Sequence, residues 1–426
     1  MRMRRKDAAA APESHAGVVF PLTRGERATQ PVGRHVISSA TARVDTAASE
    51  SARDEAQWYR AYPKHFRELT RLSAGVNAGL IAADGLAALH ATMRFRRQGA
   101  EVSILDAMDV PRARYFSSVT VDGRGPTSDA GLVLYDDERP VRGADLRPLL
   151  DRWVVDGTAE PSAVTALQDV DEHNAWLDLR GRTVVVMGAG AEMGPYEALL
   201  GWGAHVVAVD LPRPGIWQRL IDVARRAPGR LTLPVRRPVG ADDSDGQLAL
   251  AAGADVITEA PEVTEWLMQI EGPFVLGDYV YASGAMHVRT AAAVDAIIAT
   301  LLNRRRDVGV AYLATPTDVY AVPSEAVTHA LRGFAGSSPI VATARGLGGH
   351  RVFRPNYAGM QTMPTGHRFG LFDGLITQQG PNYALAKRIQ QWRALRARES
   401  GVWVSINVAP ATRTQSVVSS SMLAAA

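Results

Sequence analysis

The sequence predicts an α/β protein built on a doubly wound parallel sheet, with a mainly helical N-terminal extension and an insertion before the last helix. From residue 183 onward, short β-branched runs alternate with apolar helical segments. The first run leads into a glycine-rich turn, and the second ends in an acid. Alternating strands and helices build a parallel sheet that is covered by helices on both faces.

The glycine-rich turn is the most informative stretch of the chain. Its parts are a strand at 183–187, the glycines Gly188, Gly190 and Gly194, an apolar helical segment at 196–202, a strand at 206–209 and Asp210. This order is the fingerprint of a Rossmann-like, dinucleotide-binding unit. The glycines let the backbone approach a pyrophosphate, and the helix N-terminus offers free N–H groups. A carboxylate at Asp210 can accept both ribose hydroxyls, which favours NAD, while Arg213 leaves NADP open.

The other elements of the sheet follow from apolar runs between turn residues. We predict strands at 231–235, 255–258, 309–315 and 401–408, and helices at 216–227, 247–252, 289–305 and 382–398; residues 273–276 form either another short strand or an ordered loop. Residues 323–376 are rich in Gly, Pro and aromatic side chains, which is typical of a lid or substrate loop. The aromatic side chains of this insertion suggest a bulky or apolar small-molecule substrate.

The N-terminal part of the chain has weaker patterns. Residues 1–50 show no sustained period, and we expect a disordered tail there. Residues 51–170 predict a helical and mixed extension, with helices within 54–97 and short strands near 102–105 and 131–135. The NAD(P)-binding domain is then expected at 171–418, and a second tail at 419–426.

Composition excludes several classes of protein. The 47 basic and 44 acidic residues give a net charge of +3, which is too balanced to indicate nucleic-acid binding. The chain has no cysteine, so it has no disulfide and no thiolate site. No apolar run reaches the roughly 18–20 residues that span a bilayer. We therefore expect a cytoplasmic protein with no membrane span. No His, Asp and Glu spacing indicates a metal, and a homo-oligomer remains open.

A second group of residues lies at the start of the last long helix. Tyr383 and Lys387 are four residues apart and therefore share one helix face. A phenol with an ordinary pKa near 10 is a poor base, but a neighbouring cation lowers that pKa. Such a tyrosine can protonate a carbonyl oxygen or remove a hydroxyl proton. The alternative is a tyrosine packed under the helix beside a solvated lysine.

With these residues in place, the chain from about 182 to 417 resembles the short-chain dehydrogenase/reductase superfamily. Tyr383 and Lys387 match its YxxxK motif, and the run 404–414 looks like its sixth strand with the cofactor loop that follows. The resemblance implies an NAD(P)-dependent oxidoreductase that passes a hydride between nicotinamide and a carbonyl or secondary alcohol. It assigns Tyr383 as the acid/base and Lys387 as the group that lowers its pKa and holds the ribose.

The resemblance also implies further site residues. The oxygen of the substrate would be oriented by a threonine after the fifth strand, Thr317 in preference to Thr315. Ala260, at the end of the expected fourth strand, and Pro410, after the sixth, would contact the cofactor. The chain departs from the family pattern, because Tyr196 stands where the third glycine is expected and 258–261 is Thr-Glu-Ala-Pro.

Two other functions fit the same residues. These departures also suit a nucleotide-binding regulatory or scaffold protein without turnover. An epimerase or dehydratase would use tightly held NAD without net redox change. Asp318 and His287 lie near predicted strand edges, where they could approach a substrate, and we interpret both as ordinary loop residues.

Overall fold

The structure is a computed structural model that describes residues 16–23, 25–110, 115–126, 131–137, 139–240, 243–336, 357–363 and 366–409. Its centre is a seven-stranded sheet in which six consecutive strands run parallel and one edge strand runs antiparallel. The predicted α/β class with a mostly parallel sheet is therefore confirmed.

The strands of the central sheet are β6 (Ser117–Asp122), β9 (Thr183–Met187), β10 (His205–Val209), β11 (Arg230–Val235), β12 (Phe274–Asp278), β13 (Val308–Ala314) and β17 (Val404–Val408). The remaining strands are β1 (Gly17–Val19), β2 (Leu22–Thr23), β3 (Glu26–Arg27), β4 (Arg94–Arg97), β5 (Ala100–Ser103), β7 (Val133–Asp136), β8 (Arg139–Arg142), β14 (Val319–Pro323), β15 (Tyr357–Thr362) and β16 (Arg368–Asp373).

The helices of the N-terminal part are α1 (Thr29–Thr41), α2 (Thr46–Arg53), α3 (Trp58–Ser73), α4 (Ala78–Thr92), α5 (Ile104–Asp109), α6 (Leu146–Val155) and α7 (Pro161–Glu172). Those of the C-terminal part are α8 (Tyr196–Gly201), α9 (Pro214–Arg226), α10 (Asp245–Ala251), α11 (Ala260–Leu267), α12 (Ala285–Arg304), α13 (Ser324–Ala335) and α14 (Gly380–Glu399).

The order of the strands across the sheet is β17-β13-β12-β9-β10-β11-β6. If the six parallel strands are counted along the chain, this order is 3-2-1-4-5-6, with β9 as strand one. That order is compatible with a Rossmann-like fold and places a topological switch point at β9, between β10 and β12. The carboxyl ends of β9 and β12 therefore border the crevice where such sheets bind ligands.

Alternation along β9 and β10 separates two hydrophobic cores. Val186, Val206 and Ala208 pack with α8, α9 and α10 on one face. Val185 and Val207 face the opposite core, which contains α11, α12 and α14. Buried side chains on both faces explain why these strands are nearly continuous in apolar residues.

The fourth parallel strand is not where the sequence predicted it. Residues 255–258 form no strand, and β12 at Phe274–Asp278 takes that place between β9 and β13. The chain that leads into this segment passes the carboxyl ends of β10 and β11. There the Ala254 N–H donates to the Asp210 carbonyl and the Gly253 N–H to the Pro234 carbonyl. An apolar run of four residues does not by itself distinguish a strand from a buried loop.

The N-terminal region differs from the expected disordered tail. Helix α1 buries Val32, Val36 and Ile37, and it packs against α2 and α4. Helices α1 to α5 of the extension share one core with α12 and α14, and β6 extends the central sheet antiparallel to β11. These described elements of the extension are thus continuous with the domain that contains the sheet, rather than an appended arm.

The insertion is more regular than its composition suggested. Strands β14, β16 and β15 form a three-stranded antiparallel sheet, and α13 packs against it. Residues 337–356 of the predicted lid lie outside the described residues. The insertion is anchored to the extension, since Arg67 pairs with Asp373 at 2.5 Å.

Helix α12 is the one helix among the described residues that is long and apolar enough to cross a membrane. Of its 18-residue apolar window, 78% is buried inside the protein. It packs between α11 and α14, so its apolar character is explained by the core that it fills.

Candidate functional site

The candidate site lies at the carboxyl edge of the sheet, where β9, β12 and β13 end. The glycine turn follows β9, Asp278 and Tyr279 end β12, and the two threonines follow β13. Tyr383 and Lys387 are added by the first turns of α14, which connects β13 to β17 through the insertion. Parallel strands bring these residues to one edge although they are separated by up to 200 positions in the chain.

The glycine turn consists of two tight turns in succession. The Ala191 N–H donates to the Gly188 carbonyl and the Gly194 N–H to that of Ala191, each at 3.0 Å. Gly188 has a φ of +80°, and a Cβ there would lie 3.0 Å from the carbonyl oxygen of Tyr279. Glycine is therefore required at 188 both for its backbone conformation and for close approach to β12.

Asp210 binds the glycine turn directly. Its Oδ2 accepts the Gly190 N–H at 2.7 Å, and its Oδ1 accepts the Leu211 N–H at 2.7 Å. Burial raises the pKa of Asp210, and these two backbone donors oppose that shift. Each oxygen keeps a second lone pair, so the carboxylate can still accept ribose hydroxyls. Arg219 completes the cluster by donating to the Gly190 carbonyl at 2.9 Å.

The position of the missing third glycine has a clear structural use. Tyr196 is buried, and its hydroxyl donates to the Leu220 carbonyl of α9 at 2.7 Å. The phenol thus joins the first crossover helix to the second. Helix α8 has only 6 residues, so the turn supplies most of the backbone that could face a pyrophosphate. Glu192 in this turn is exposed.

Tyr383 and the two predicted threonines come together. The Thr315 and Thr317 hydroxyls are 2.8 Å apart, and both lie near the Tyr383 hydroxyl, where they oppose the rise of its pKa. Tyr320 supports this loop, because its hydroxyl donates to the Thr315 carbonyl at 2.5 Å. The sequence proposed either threonine for this role, and the structure brings both to the phenol.

Lys387 is directed differently from the expectation. Its Nζ donates to the carbonyl of Leu313 at 3.2 Å and to Oε1 of Gln390 at 3.1 Å. Burial lowers the pKa of Lys387, and the nearby charges of Asp278 and Asp318 oppose this shift. Burial raises the pKa of Tyr383, against the hydrogen bonds from the threonines. The expected lowering of the tyrosine pKa is therefore not found in this ligand-free arrangement.

Two further side chains border Tyr383. The ring of His287 lies 5.3 Å from that of Tyr383, and the ring of Tyr281 lies 6.5 Å from it. His287 is in the first turn of α12 and is 1% exposed, so it is not the loop residue that the sequence suggested. Tyr281, just after β12, was missed because the fourth strand was placed at 255–258.

Asp278 was missed for the same reason. This buried carboxylate ends β12, and its Oδ2 accepts from Nε2 of Gln390 at 3.0 Å. Burial raises the pKa of Asp278 to about 6. Gln390 thereby connects Lys387 to Asp278. Had the fourth strand been predicted at the run FVLG, the acid that follows it would have been recognised as a candidate site residue.

Asp318 has a structural role. Its carboxylate accepts from Arg388 and Gln391, each at 3.0 Å, and from the backbone of Val319. All three partners belong to the protein, so the approach to substrate that the sequence left open is not favoured.

The two residues carried over for the cofactor loops are placed as follows. Ala260 is fully buried at the first position of α11, away from the carboxyl end of β12. Pro410 lies outside the described residues. Tyr279 and Val280 hold the place beside the glycine turn that Ala260 was expected to hold, since the Tyr279 N–H donates to the Met187 carbonyl.

Two clefts are found away from this edge. One, of about 550 Å³, lies between α4, α5 and α14 and includes His90 and Arg393. The other, of about 530 Å³, lies at the opposite, amino end of the sheet near Arg180 and Arg230. Within the described ranges no cluster of three or more His, Asp or Glu residues could hold a metal ion.

No family model, no curated protein and no solved structure matches this chain. The site is therefore interpreted from its own geometry.

Proposed function

We propose that this chain is an NAD(P)-dependent oxidoreductase of the short-chain type, acting on a carbonyl or secondary alcohol. The observation that carries the proposal is the contact of Tyr383 with Thr315 and Thr317 at the carboxyl edge of β13. A half-buried phenol beside two hydroxyls is suited to exchange a proton with a substrate oxygen at that position. The strand order and the glycine turn support a nucleotide on the neighbouring strands.

Asp210 supplies acceptors for the adenosine ribose of a dinucleotide, although most N–H groups of the turn, including those of Gly188 and Gly190, donate within the protein. The turn 188–194 would face the pyrophosphate, and the free lone pairs of Asp210 would accept the ribose hydroxyls, which favours NAD over NADP. When bound, the nicotinamide supplies the hydride acceptor or donor. Lys387, on α14 beside β13, would hold the second ribose if it exchanged its bond with the Leu313 carbonyl.

The residues around Tyr383 favour the reduction of a carbonyl. Burial raises its pKa, so the phenol is protonated at neutral pH. A protonated phenol acts as a general acid and donates its proton to the carbonyl oxygen as negative charge develops there. Thr315 and Thr317 orient the phenol and can share a hydrogen bond with the same oxygen.

A second function is favoured by one specific observation. The Gly190 N–H, which would normally face a phosphate, is occupied by Asp210 at 2.7 Å. A turn closed by its own acid suits a nucleotide-binding regulatory or scaffold protein that has no turnover. This function shares the binding step and differs in the role of Tyr383.

The first experiment is calorimetric titration of the full chain with NAD, NADH, NADP and NADPH. We expect saturable binding, tighter for NAD(H) because Asp210 would repel a 2′-phosphate. Failure of all four nucleotides to bind would remove both functions. Tightly retained NAD that exchanges no reducing equivalents would instead favour an epimerase or dehydratase.

The second experiment is a screen of carbonyl compounds with NADH and NADPH, followed by the absorbance of the reduced nicotinamide. With a substrate in hand, Tyr383→Phe should lower kcat by about 10²–10⁴-fold and leave the nucleotide Kd unchanged. The exposed Tyr135→Phe, on β7, is the matched control and should retain full activity. Binding without turnover in the wild-type chain would favour the non-catalytic function.

A further inference from the structure

His287 is a buried polar side chain whose environment is incomplete. Its ring is 1% exposed, and among the described residues its Nε2 has no hydrogen-bond partner. A buried nitrogen without a partner costs free energy, and native proteins keep such groups where water or a ligand satisfies them. We therefore expect Nε2 of His287 to have a hydrogen-bond partner that is not among the described protein atoms.

The ring of His287 contacts both the exposed Tyr281 and the proposed proton donor Tyr383. It lies 5.2 Å from the ring of Tyr281 and 5.3 Å from that of Tyr383, and both contacts are edge-to-face. Tyr281 is 53% exposed, whereas the Tyr383 hydroxyl lies near the threonines after β13. A molecule that reaches Tyr383 past Tyr281 would thus pass along the imidazole.

The charge state of His287 limits what it can bind. Burial, and then the neighbouring cation of Lys387, lower the pKa of His287 to about 3. The imidazole is consequently neutral at physiological pH, with one N–H donor and one acceptor nitrogen. A neutral imidazole pairs well with a hydroxyl, which can donate or accept, and gives no charge with which to hold a carboxylate or a phosphate.

We infer that His287 is a substrate-contact residue that binds a second oxygen, a hydroxyl on the carbon next to the one that exchanges hydride. This inference rests on the proposed function and assigns its substrate class: α-hydroxy ketones and aldehydes in reduction, and vicinal diols in oxidation. Tyr383 binds the reacting oxygen and His287 the neighbouring one.

The unpaired Nε2 of His287 explains how the site would distinguish substrates with the second hydroxyl from substrates without it. A substrate without the second hydroxyl would leave Nε2 unsatisfied in a site from which it displaces water. Sites built to hydrogen-bond a hydroxyl reject analogues that lack it, and we expect a preference of about 10- to 100-fold in kcat/KM. The preference should appear mainly in kcat/KM rather than in the affinity for the nucleotide, which is bound by other residues.

The test uses the full chain and matched pairs of compounds, each an α-hydroxy ketone beside the same ketone without the hydroxyl. His287→Phe keeps an aromatic ring against both tyrosines and removes the nitrogen. His287→Gln places an amide near the position of Nε2. Three readouts are measured for each variant: the ratio of kcat/KM within a pair, the Kd of NADH, and Tm.

We expect the wild-type protein to prefer the hydroxylated member, the Phe variant to lose this preference, and the Gln variant to keep part of it. The Kd of NADH should be the same in all three. Tm of His287→Phe should be equal to or higher than that of the wild type, because an unpaired buried nitrogen is removed.

Two results would overturn the inference. One is a wild-type enzyme that reduces both members of each pair equally. The other is a Phe variant that keeps the preference but has a lower Tm, which would make His287 a structural residue with a bound water. In both cases NADH binding and turnover survive, so the proposed function stands. Absence of NADH binding, in contrast, would remove the proposed function itself.

Discussion

Helix α14 carries three largely buried cations, Lys387, Arg388 and Arg393, and the protein surrounds Lys387 and Arg393 in opposite ways. Arg393 donates from Nε and Nη2 to both oxygens of Asp295, at 2.7 and 3.0 Å. The same carboxylate accepts from Nε2 of His90 at 2.7 Å. Lys387 donates to neutral acceptors, a carbonyl and the amide of Gln390. Arg393 therefore has a complete ion pair, and Lys387 does not.

The difference matches the chemistry of the two side chains. The planar guanidinium forms two parallel bonds to a carboxylate and is suited to a buried pair. Burial alone would raise the pKa of Asp295, but Arg393 and His90 bring it below its usual range. An ammonium is a mobile point charge, which suits a group that must leave one partner for a ligand. The chain contains only three lysines, Lys6, Lys64 and Lys387.

This contrast separates two parts of a single helix. Arg393 and His90 join the N-terminal extension to the sheet, because Asp295 belongs to α12 and His90 to α4. Among the described residues, buried side-chain atoms without a hydrogen-bond partner are found at His287, Tyr312, Gln379 and Arg388. Lys387, which has no complete ion pair, belongs to the part of the helix for which we propose a ligand.

The largest expected effect on the free energy of unfolding comes from breaking the ion pair between Arg393 and Asp295. Arg393→Met leaves Asp295 buried beside His90 alone, and we expect the free energy of unfolding to fall by about 3–5 kcal/mol. Urea denaturation measures it. Lys387→Met on the same helix is the matched control and should cost less than half as much, because it leaves no carboxylate without its ion pair. Equal losses for the two variants would contradict the contrast.

A second prediction concerns the pH dependence of stability near Lys387. Burial raises the pKa of Asp278 from 3.8 to about 6. The folded state therefore holds this proton more tightly than the unfolded state, and the contribution to stability is full below about pH 4 and is lost as pH rises through 6. The loss amounts to about 3 kcal/mol.

Asp278→Asn removes this titration. Relative to the wild type, the variant should gain stability steadily between about pH 4 and 6, as measured by thermal melts at each pH. The pH dependence of stability that Asp295 contributes has the opposite sign. Because the pKa of Asp295 is lowered, its contribution to stability disappears at low pH. The exposed Asp151→Asn serves as control. A difference between Asp278→Asn and wild type that does not change with pH would show that Asp278 does not titrate in this window.

The smallest expected effect is at Tyr312. Its hydroxyl is buried and has no hydrogen-bond partner among the described residues. Tyr312→Phe should leave the free energy of unfolding unchanged or raise it by up to about 1 kcal/mol. Tyr196→Phe is the matched opposite, because it removes a bond to the Leu220 carbonyl and should cost about 1 kcal/mol. A clear loss at Tyr312 would mean that a buried water completes its environment.

Local patterns predicted the elements that depend on local contacts. The strands β9, β10, β11 and β13 lie within one residue of their predicted bounds, because runs buried on both faces are recognisable from composition alone. The failures involve distant partners. Strand β6 reads Ser-Ser-Val-Thr-Val-Asp and becomes a strand through pairing with β11, more than a hundred residues away. Helix α1 is rich in small polar residues and is stabilised by packing against α4.

For the site, the sequence by itself predicted the candidate residues: the glycine turn with Asp210, the Tyr383 and Lys387 pair, and a threonine after the fifth strand. Only the tertiary structure decided how they are used. It brought both threonines to the phenol, turned Lys387 toward Gln390 and Asp278, and placed His287 beside Tyr383 without a partner. The physical reason for this difference is that hydrophobic periodicity depends on residues close together in the sequence. The partners of a buried polar atom, in contrast, come from elements far apart in the chain.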